Sequence, residues 1–240
     1  MANLKHIGIV LAVSAILVIG LMFYFDFRNS NVNGEELILA DENGEPTTQL
    51  DGPLSPEEQL VTKPKITNTM NPTAILKTNR GTIEIELFAD LMPITVGNFI
   101  ALAESGFYDS VKFHRVIDGF MIQSGDPNSK GANEATYGTG GSDNIQDEFI
   151  EGELLTNTRG TIAMANTGQP NSGSSQWFIN LVDNTNLDFD KQPLTSKHPV
   201  FGRVIKGMDV VDAIGVTKTK AGNVPVEPIV IESIDIVKTQ

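Results

Sequence analysis

The sequence predicts a chain dominated by β-structure, a closed antiparallel barrel capped by two helices, set behind an apolar N-terminal helix and a linker. Three observations carry that prediction. From residue 73 onward the chain holds many short alternating or apolar runs bounded by Gly, Asn, Asp and Pro, as strands and their turns do. Only two stretches there show a helical stripe. Residues 7–25, in contrast, contain no charge at all. Closing many short strands into a barrel hides sheet edges that would otherwise invite pairing with other chains.

After a short segment at 1–6, residues 7–25 are long enough to span a membrane, since about 20 apolar residues cross a hydrocarbon core of roughly 30 Å. Phe23, Tyr24 and Phe25 would lie at the far interface as an aromatic belt. A cleaved signal peptide and a buried core helix are the competing readings. The run exceeds a usual signal core, no small-x-small cleavage site follows, and no cysteine is present to take a lipid. An uncleaved single-pass anchor in the cytoplasmic membrane is therefore preferred. Lys5 before the span favours an N-terminus in the cytoplasm and a domain outside it, although Arg28 works against that bias.

Residues 26–72 read as an acidic linker. Asn, Gly, Pro, Glu and Thr dominate, and nine acidic side chains face three basic ones, a net charge of −6. As a flexible coil this stretch would span about 35–40 Å. A short strand at 36–40 is the only element it offers.

The folded domain is expected over 73–240. Runs 73–78 and 81–88 flank Asn79-Arg80, and Ile83, Ile85 and Leu87 alternate with Glu84 and Glu86, which describes a half-buried hairpin. Met92-Pro93 opens a helix with Val96, Phe99, Ile100 and Ala103 on one stripe, and Gly106 closes it. Residues 125–147 form a long glycine-rich loop without the lysine and hydroxyl pattern of a phosphate-binding loop. Strands follow at 161–166, 176–180, 200–205 and 229–237, with a helix at 208–214.

Composition excludes several classes of function. The net charge of −13 argues against a nucleic-acid partner and against electrostatic docking on anionic lipid. Without cysteine there is no thiolate nucleophile or cysteine-based metal site, and three histidines, His6, His114 and His198, do not suggest a metal centre. No cofactor is expected. Nothing suggests an oligomer, so a monomer is expected.

The informative stretch is 113–126, Phe-His-Arg-Val-Ile-Asp-Gly-Phe-Met-Ile-Gln-Ser-Gly-Asp. Strand alternation puts Phe113, Arg115 and Ile117 on one side, with His114 and Val116 on the other. Met121 and Gln123 likewise share a side. An arginine among apolar neighbours is costly unless it is hydrogen-bonded or faces a ligand. A core hairpin whose arginine snorkels to water reads equally well from this stretch alone.

Together with Met164-Ala165-Asn166 and Ser174-Ser175-Gln176-Trp177-Phe178, this stretch resembles the cyclophilins, the cyclophilin-type peptidyl-prolyl cis/trans isomerases, over roughly 73–237. The resemblance implies an eight-stranded barrel with two capping helices, acting on proline-containing polypeptides. It places the catalytic arginine on Arg115 and the proline pocket on Phe120, Met121, Phe178 and Leu187. It places substrate-backbone contacts on Gln123, Ala165, Asn166 and Gln176, and the pocket-rim histidine on His198. Many members carry a tryptophan, important for cyclosporin binding, where this chain has Asn186, so tight cyclosporin binding is not carried over. The segment 188–197 is longer than the common form. A non-catalytic, membrane-tethered module that binds proline peptides is the alternative, but it would not need Arg115. His114 is expected to be structural, and Asp126 and Asp147 to be hydrogen-bonding loop residues.

Overall fold

The computed structural model describes residues 71–238; the expected anchor at 7–25, nearly all of the linker and the possible strand at 36–40 lie outside the described residues. The eight strands are β1 (Thr73–Thr78), β2 (Gly81–Leu87), β3 (Arg115–Ile117), β4 (Met121–Ser124), β5 (Thr161–Met164), β6 (Trp177–Asn180), β7 (Val200–Lys206) and β8 (Ile231–Val237). The helices are α1 (Pro93–Glu104) and α2 (Met208–Gly215). No helix among the described residues is long and apolar enough to cross a membrane.

The strands form one antiparallel sheet in the order β3-β4-β6-β5-β7-β2-β1-β8. The expectation of a closed barrel is corrected here. The end strands β3 and β8 do not pair with each other; the chain before β3, residues 110–113, meets 229–231 through the Lys112–Val230 bridge and three backbone hydrogen bonds. The architecture is a half-barrel. Several boundaries also shift by one or two residues: β2 ends at Leu87, β5 at Met164 and β7 at Lys206, β6 starts at Trp177 and β8 at Ile231, and Gly215 is the last residue of α2.

Register explains where the core and the site lie. Val116 faces Ile122, Ile122 faces Ile179, and Ile179 faces Ile162 across β3, β4, β6 and β5. Cross-strand partners share a face, and all four of these side chains are 0–1% exposed. Burying each such side chain contributes about 1.5–3 kcal/mol. Moving one residue along reverses the face. The next row is Arg115 opposite Gln123, Gln123 opposite Phe178, and Phe178 opposite Ala163. One face therefore builds the core and the other carries the polar and apolar groups of a site.

The expected alternation fails at one place. Strand β3 begins at Arg115, so Phe113 and His114 lie before the ladder. Phe113 turns into the core beside Val116 instead of sharing the side of Arg115. There it meets Trp177 edge-on at 5.8 Å, while Phe99 and Tyr108 approach the same indole at 6.2 and 6.4 Å. Edge-to-face contacts of this kind suit the ring quadrupole.

Helix α1 packs Val96, Phe99 and Ala103 into that core. Pro93 suits its first turn, but Met92 supplies no side-chain cap. Glu148, distant in sequence, supplies one instead. Its carboxylate accepts from the backbone N–H groups of Ile94 (2.9 Å) and Thr95 (2.6 Å) and from the Thr95 hydroxyl (2.7 Å). A carboxylate there meets both the unpaired N–H groups and the positive end of the helix dipole.

Candidate active site

The short loop between β3 and β4 sets the site's edge. Gly119 sits at φ 67°, a left-handed conformation that glycine adopts without strain, and Phe120 N–H donates to the Ile117 carbonyl at 3.1 Å. The hairpin thus places Arg115 directly opposite Gln123. Arg115 Nη1 donates to Gln123 Oε1 at 3.2 Å, and Gln123 Nε2 donates to Gln176 Oε1 at 2.9 Å. Gln176 Nε2 then donates to the carbonyls of Gly140 (2.7 Å) and Gly138 (3.1 Å) in the glycine-rich loop. One directed chain of hydrogen bonds therefore fixes the guanidinium and the loop together. Gly125 permits this approach of strands, because a Cβ there would lie 2.2 Å from the Ser175 carbonyl oxygen.

Beside this polar row lies an apolar wall. Met121, Phe178 and Leu187 are buried in one cluster, with Phe120 and Ala165 packed against it. Five sequence-predicted residues from four separate segments thus come together. His198 stands edge-on to Phe178 at 5.4 Å. Its Nδ1 lies 3.1 Å from the Met164 carbonyl, so Nδ1 carries the hydrogen. Burial lowers the His198 pKa, with the Met164 carbonyl opposing that shift, and the ring is neutral near pH 7.

Asn166 is placed differently from the other polar residues. Its side chain is occupied, donating from Nδ2 to the Lys197 carbonyl (2.6 Å) and accepting at Oδ1 from Gly168 N–H (3.0 Å). These two bonds fix the side chain beside the groove that Asn166 lines. Ala165 N–H donates to the Gln176 carbonyl at 3.0 Å, tying the end of β5 to the start of β6.

Two depressions flank the row. A groove of about 380 Å³ runs between the glycine-rich loop and the chain after β5, lined by Gln123, Ala165, Asn166, Gln176, Gly140 and Ser174. On the other side a hollow of about 550 Å³ is bounded by Arg115, His114, Tyr137, Gly138 and Val224. His114 is therefore not turned away from Arg115 as expected. It lies on the floor of the same hollow, because the strand alternation does not extend back to residue 114. Burial pushes its pKa down, partly offset by Asp126.

Burial also lowers the Arg115 pKa. A guanidinium starts so high that it stays charged. A half-buried cation beside apolar side chains interacts more strongly with developing negative charge than one in open water. Asp126 and Asp147 do serve the loops: Asp126 accepts from the N–H groups of Asn128 and Gly138, and Asp147 from Asn171. Asn186 is exposed in the turn that carries Leu187.

Sequence reasoning missed Phe88, Ala163 and Val200, which complete the apolar cluster. Strand composition alone does not tell which apolar residue backs a pocket and which fills a core. It also missed the carbonyls of Gly138 and Gly140, since backbone acceptors leave no mark in residue identity. Among the described residues no group of three or more His, Asp or Glu is arranged to hold a metal ion.

Comparison with known proteins gives the family. Residues 73–236 fit the family model described as cyclophilin type peptidyl-prolyl cis-trans isomerase. A peptidyl-prolyl cis-trans isomerase of Acinetobacter baylyi is 41% identical over 181 residues, covering 74% of this chain and 90% of the relative. Peptidyl-prolyl cis-trans isomerase B of Escherichia coli is 45% identical over 166 residues, covering 66% and 96%. A solved cyclophilin-type isomerase of Cryptosporidium parvum superposes with a TM-score of 0.61 at 29% identity, covering 71% of this chain and 99% of its own; it has also been solved in the presence of the dipeptide Ala-Pro. The chain belongs to the cyclophilin-type family of peptidyl-prolyl cis-trans isomerases. It is an enzyme of that class.

Proposed function

We propose that the chain accelerates rotation about X–Pro bonds in proline-containing polypeptides, with Arg115 as the catalytic residue. Amide resonance raises a rotation barrier of about 18–20 kcal/mol. No bond is made or broken, so the reaction needs no nucleophile, metal or proton shuttle. It needs tighter binding of the twisted amide than of either planar isomer. As resonance is lost, the prolyl nitrogen becomes pyramidal and gains a lone pair able to accept a hydrogen bond. The observation that carries the reading is the Arg115 guanidinium, held by Gln123 at the margin of the apolar wall. A donor fixed in advance costs no reorganisation when the lone pair forms.

In this reading Phe120, Met121, Phe178 and Leu187 hold the pyrrolidine ring, and His198 borders it. Gln123, Gln176 and the backbone of Ala165 and Asn166 hold the polypeptide along the groove of about 380 Å³. The Ala-Pro dipeptide used with the Cryptosporidium relative supports a proline-containing ligand. The decisive experiment is two-dimensional exchange NMR on an X–Pro peptide with wild-type protein and Arg115→Ala. Exchange should be fast with wild type and fall about 10²–10³-fold in the folded variant, the usual cost of one fixed transition-state donor. Equal exchange in both would remove Arg115 from the mechanism.

We further propose that residues 7–25 anchor the enzyme, as a monomer, in the cytoplasmic membrane with its domain outside the cytoplasm. The uncharged run and its aromatic end support this. The full-length protein should stay with membranes after alkaline carbonate extraction, and added protease should reach its domain in spheroplasts. Release into the carbonate supernatant would overturn the anchor, and protection from protease would reverse the orientation.

A further inference from the structure

Behind the apolar wall lies a buried polar network whose members belong to no group discussed so far. Asn157, Asn180, Asn184 and Asp188 are 0–6% exposed. Four buried polar side chains behind an apolar cluster are expensive unless their donors and acceptors are met. Here the partners are specific. Asn157 donates to Asp188 Oδ1 twice, from its backbone N–H and from Nδ2, both at 2.8 Å. The same Nδ2 donates to the His198 carbonyl at 2.9 Å. Asn157 Oδ1 accepts from Asn180 Nδ2 at 3.0 Å, and Asn180 Oδ1 accepts from Asn184 Nδ2 at 2.8 Å. Asn184 Nδ2 also donates to the Phe120 carbonyl at 2.9 Å, and its backbone N–H donates to the Asn157 carbonyl at 2.7 Å.

The endpoints of this network are the significant feature. It terminates on the carbonyl of Phe120, on the carbonyl of His198, and on Asp188, the residue after Leu187. Those are three wall segments of the pocket, and none of the three belongs to a strand. Their other ties include Phe120 N–H to the Ile117 carbonyl, Leu181 N–H to the Phe120 carbonyl, His198 N–H to the Leu187 carbonyl, and His198 Nδ1 with the neighbouring Pro199 carbonyl linked to Met164. Asn180 closes β6 on the site face, two residues after Phe178, so the network is also tied to the strand beneath the pocket. The sheet fixes Met121 and Phe178. The asparagine network fixes Phe120, Leu187 and His198 relative to them.

We infer that Asn157 is a positioning residue for the proline pocket, the hub that sets the spacing of its three loop-borne walls. This deepens the isomerase reading and rests on it. A wall misplaced by a fraction of an ångström loses contact with the pyrrolidine ring in the planar and the twisted amide alike. Loss of such uniform binding raises KM and leaves kcat nearly unchanged. A purely structural role would lower thermal stability and leave the KM of the folded fraction where it was.

The test uses the full 240-residue chain. KM and kcat for an X–Pro peptide are measured by exchange NMR well below the melting temperature for wild type, Asn157→Ala and Asp188→Asn. Asn157→Ala should raise KM about tenfold, as loss of several buried hydrogen bonds behind a binding wall implies, with kcat within about twofold. Asp188→Asn keeps an Oδ1 acceptor for both Asn157 donors but puts an amide donor where the buried Oδ2 has no partner, so it should raise KM in the same direction. If Asn157→Ala does not fold, Asn184→Ala replaces it; that change removes the donor to Phe120 and to Asn180 Oδ1, leaves the Asp188 and His198 ends in place, and should show the same KM-selective loss. A lower melting temperature with unchanged KM in these alanine variants would overturn the positioning role. Absence of exchange with wild type would instead overturn the isomerase reading itself.

Discussion

At the scale of single residues, the proposed mechanism rests on how few donors are left to choose their own geometry. Arg115 is held through Gln123, which is held through Gln176, whose amide is saturated by two loop carbonyls. Arg115→Lys keeps the charge but loses the planar fork, so an ammonium cannot both donate to Gln123 Oε1 and reach the same point beyond it. We expect Arg115→Lys to recover less than about a tenth of the wild-type exchange rate, given that one fixed donor is worth some 10²–10³-fold. Recovery to near wild type would show that charge alone suffices. Gln176→Ala makes a different prediction, since it keeps the direct Arg115–Gln123 contact but removes the acceptor that orients Gln123 and releases the loop at Gly138 and Gly140. Backbone amide signals across 138–141 should broaden, and kcat should fall about tenfold, in line with loss of preorganisation and not of chemistry. Unchanged loop signals would mean that Asp126, which accepts from Gly138 N–H, holds the loop by itself.

At the scale of elements, α1 illustrates a long-range dependence. Its cap comes from Glu148, more than fifty positions away, on the extended chain between the glycine-rich loop and β5. Glu148→Ala would leave two backbone donors and a hydroxyl unpaired at a buried helix end. It should cost about 1–2 kcal/mol, the range of a lost N-cap, seen as a lower melting temperature with α1 amides losing hydrogen-exchange protection first. Equal loss of protection across the whole sheet would place Glu148 in the core and not at the cap. The same element shows what a sequence can and cannot disclose. Pro93 and the stripe Val96, Phe99 and Ala103 declare the helix, because propensity and periodicity are local. Its cap is invisible, since no local pattern points from Met92 to Glu148. Most strands were legible for the same local reason, and Arg115, Gln123, Phe178 and Gln176 were legible because their motifs are. Phe113 was misread, because a two-residue period holds only inside a ladder and the ladder starts at Arg115. The closed barrel was overread: closure depends on whether β3 and β8 meet, a contact between residues more than a hundred positions apart. The Asn157 network was not seen at all, for its four members are scattered, polar, and buried only by tertiary structure.

For the molecule as a whole, acidity and burial pull in opposite directions as pH falls, and their difference can be measured. The chain carries a net charge of −13, so modest protonation relieves self-repulsion and favours the compact state. Two histidines, His114 buried and His198 partly buried, oppose that trend. His114 and His198 both have pKa values lowered by burial. In the unfolded chain they titrate near their ordinary value of about 6.5. Above that pH both are neutral whether the chain is folded or not, and their burial carries no protonation cost. Below it the unfolded chain takes up protons that the folded chain refuses, so stability is lost as pH falls from about 6.5 toward the lower folded values. The maximal slope is about 1.4 kcal/mol per pH unit for each histidine. His114 shows the effect most clearly, because it is almost fully buried and burial outweighs the opposing pull of Asp126 on its pKa. We therefore expect the melting temperature of wild type to fall between pH 6.5 and 5, and that of His114→Gln to fall less steeply, by up to one proton's worth of slope. Thermal denaturation of the two proteins over this window checks it. Parallel curves would mean that His114 is protonated as readily inside the fold as outside, and that the hollow beside Arg115 admits enough water to solvate an imidazolium.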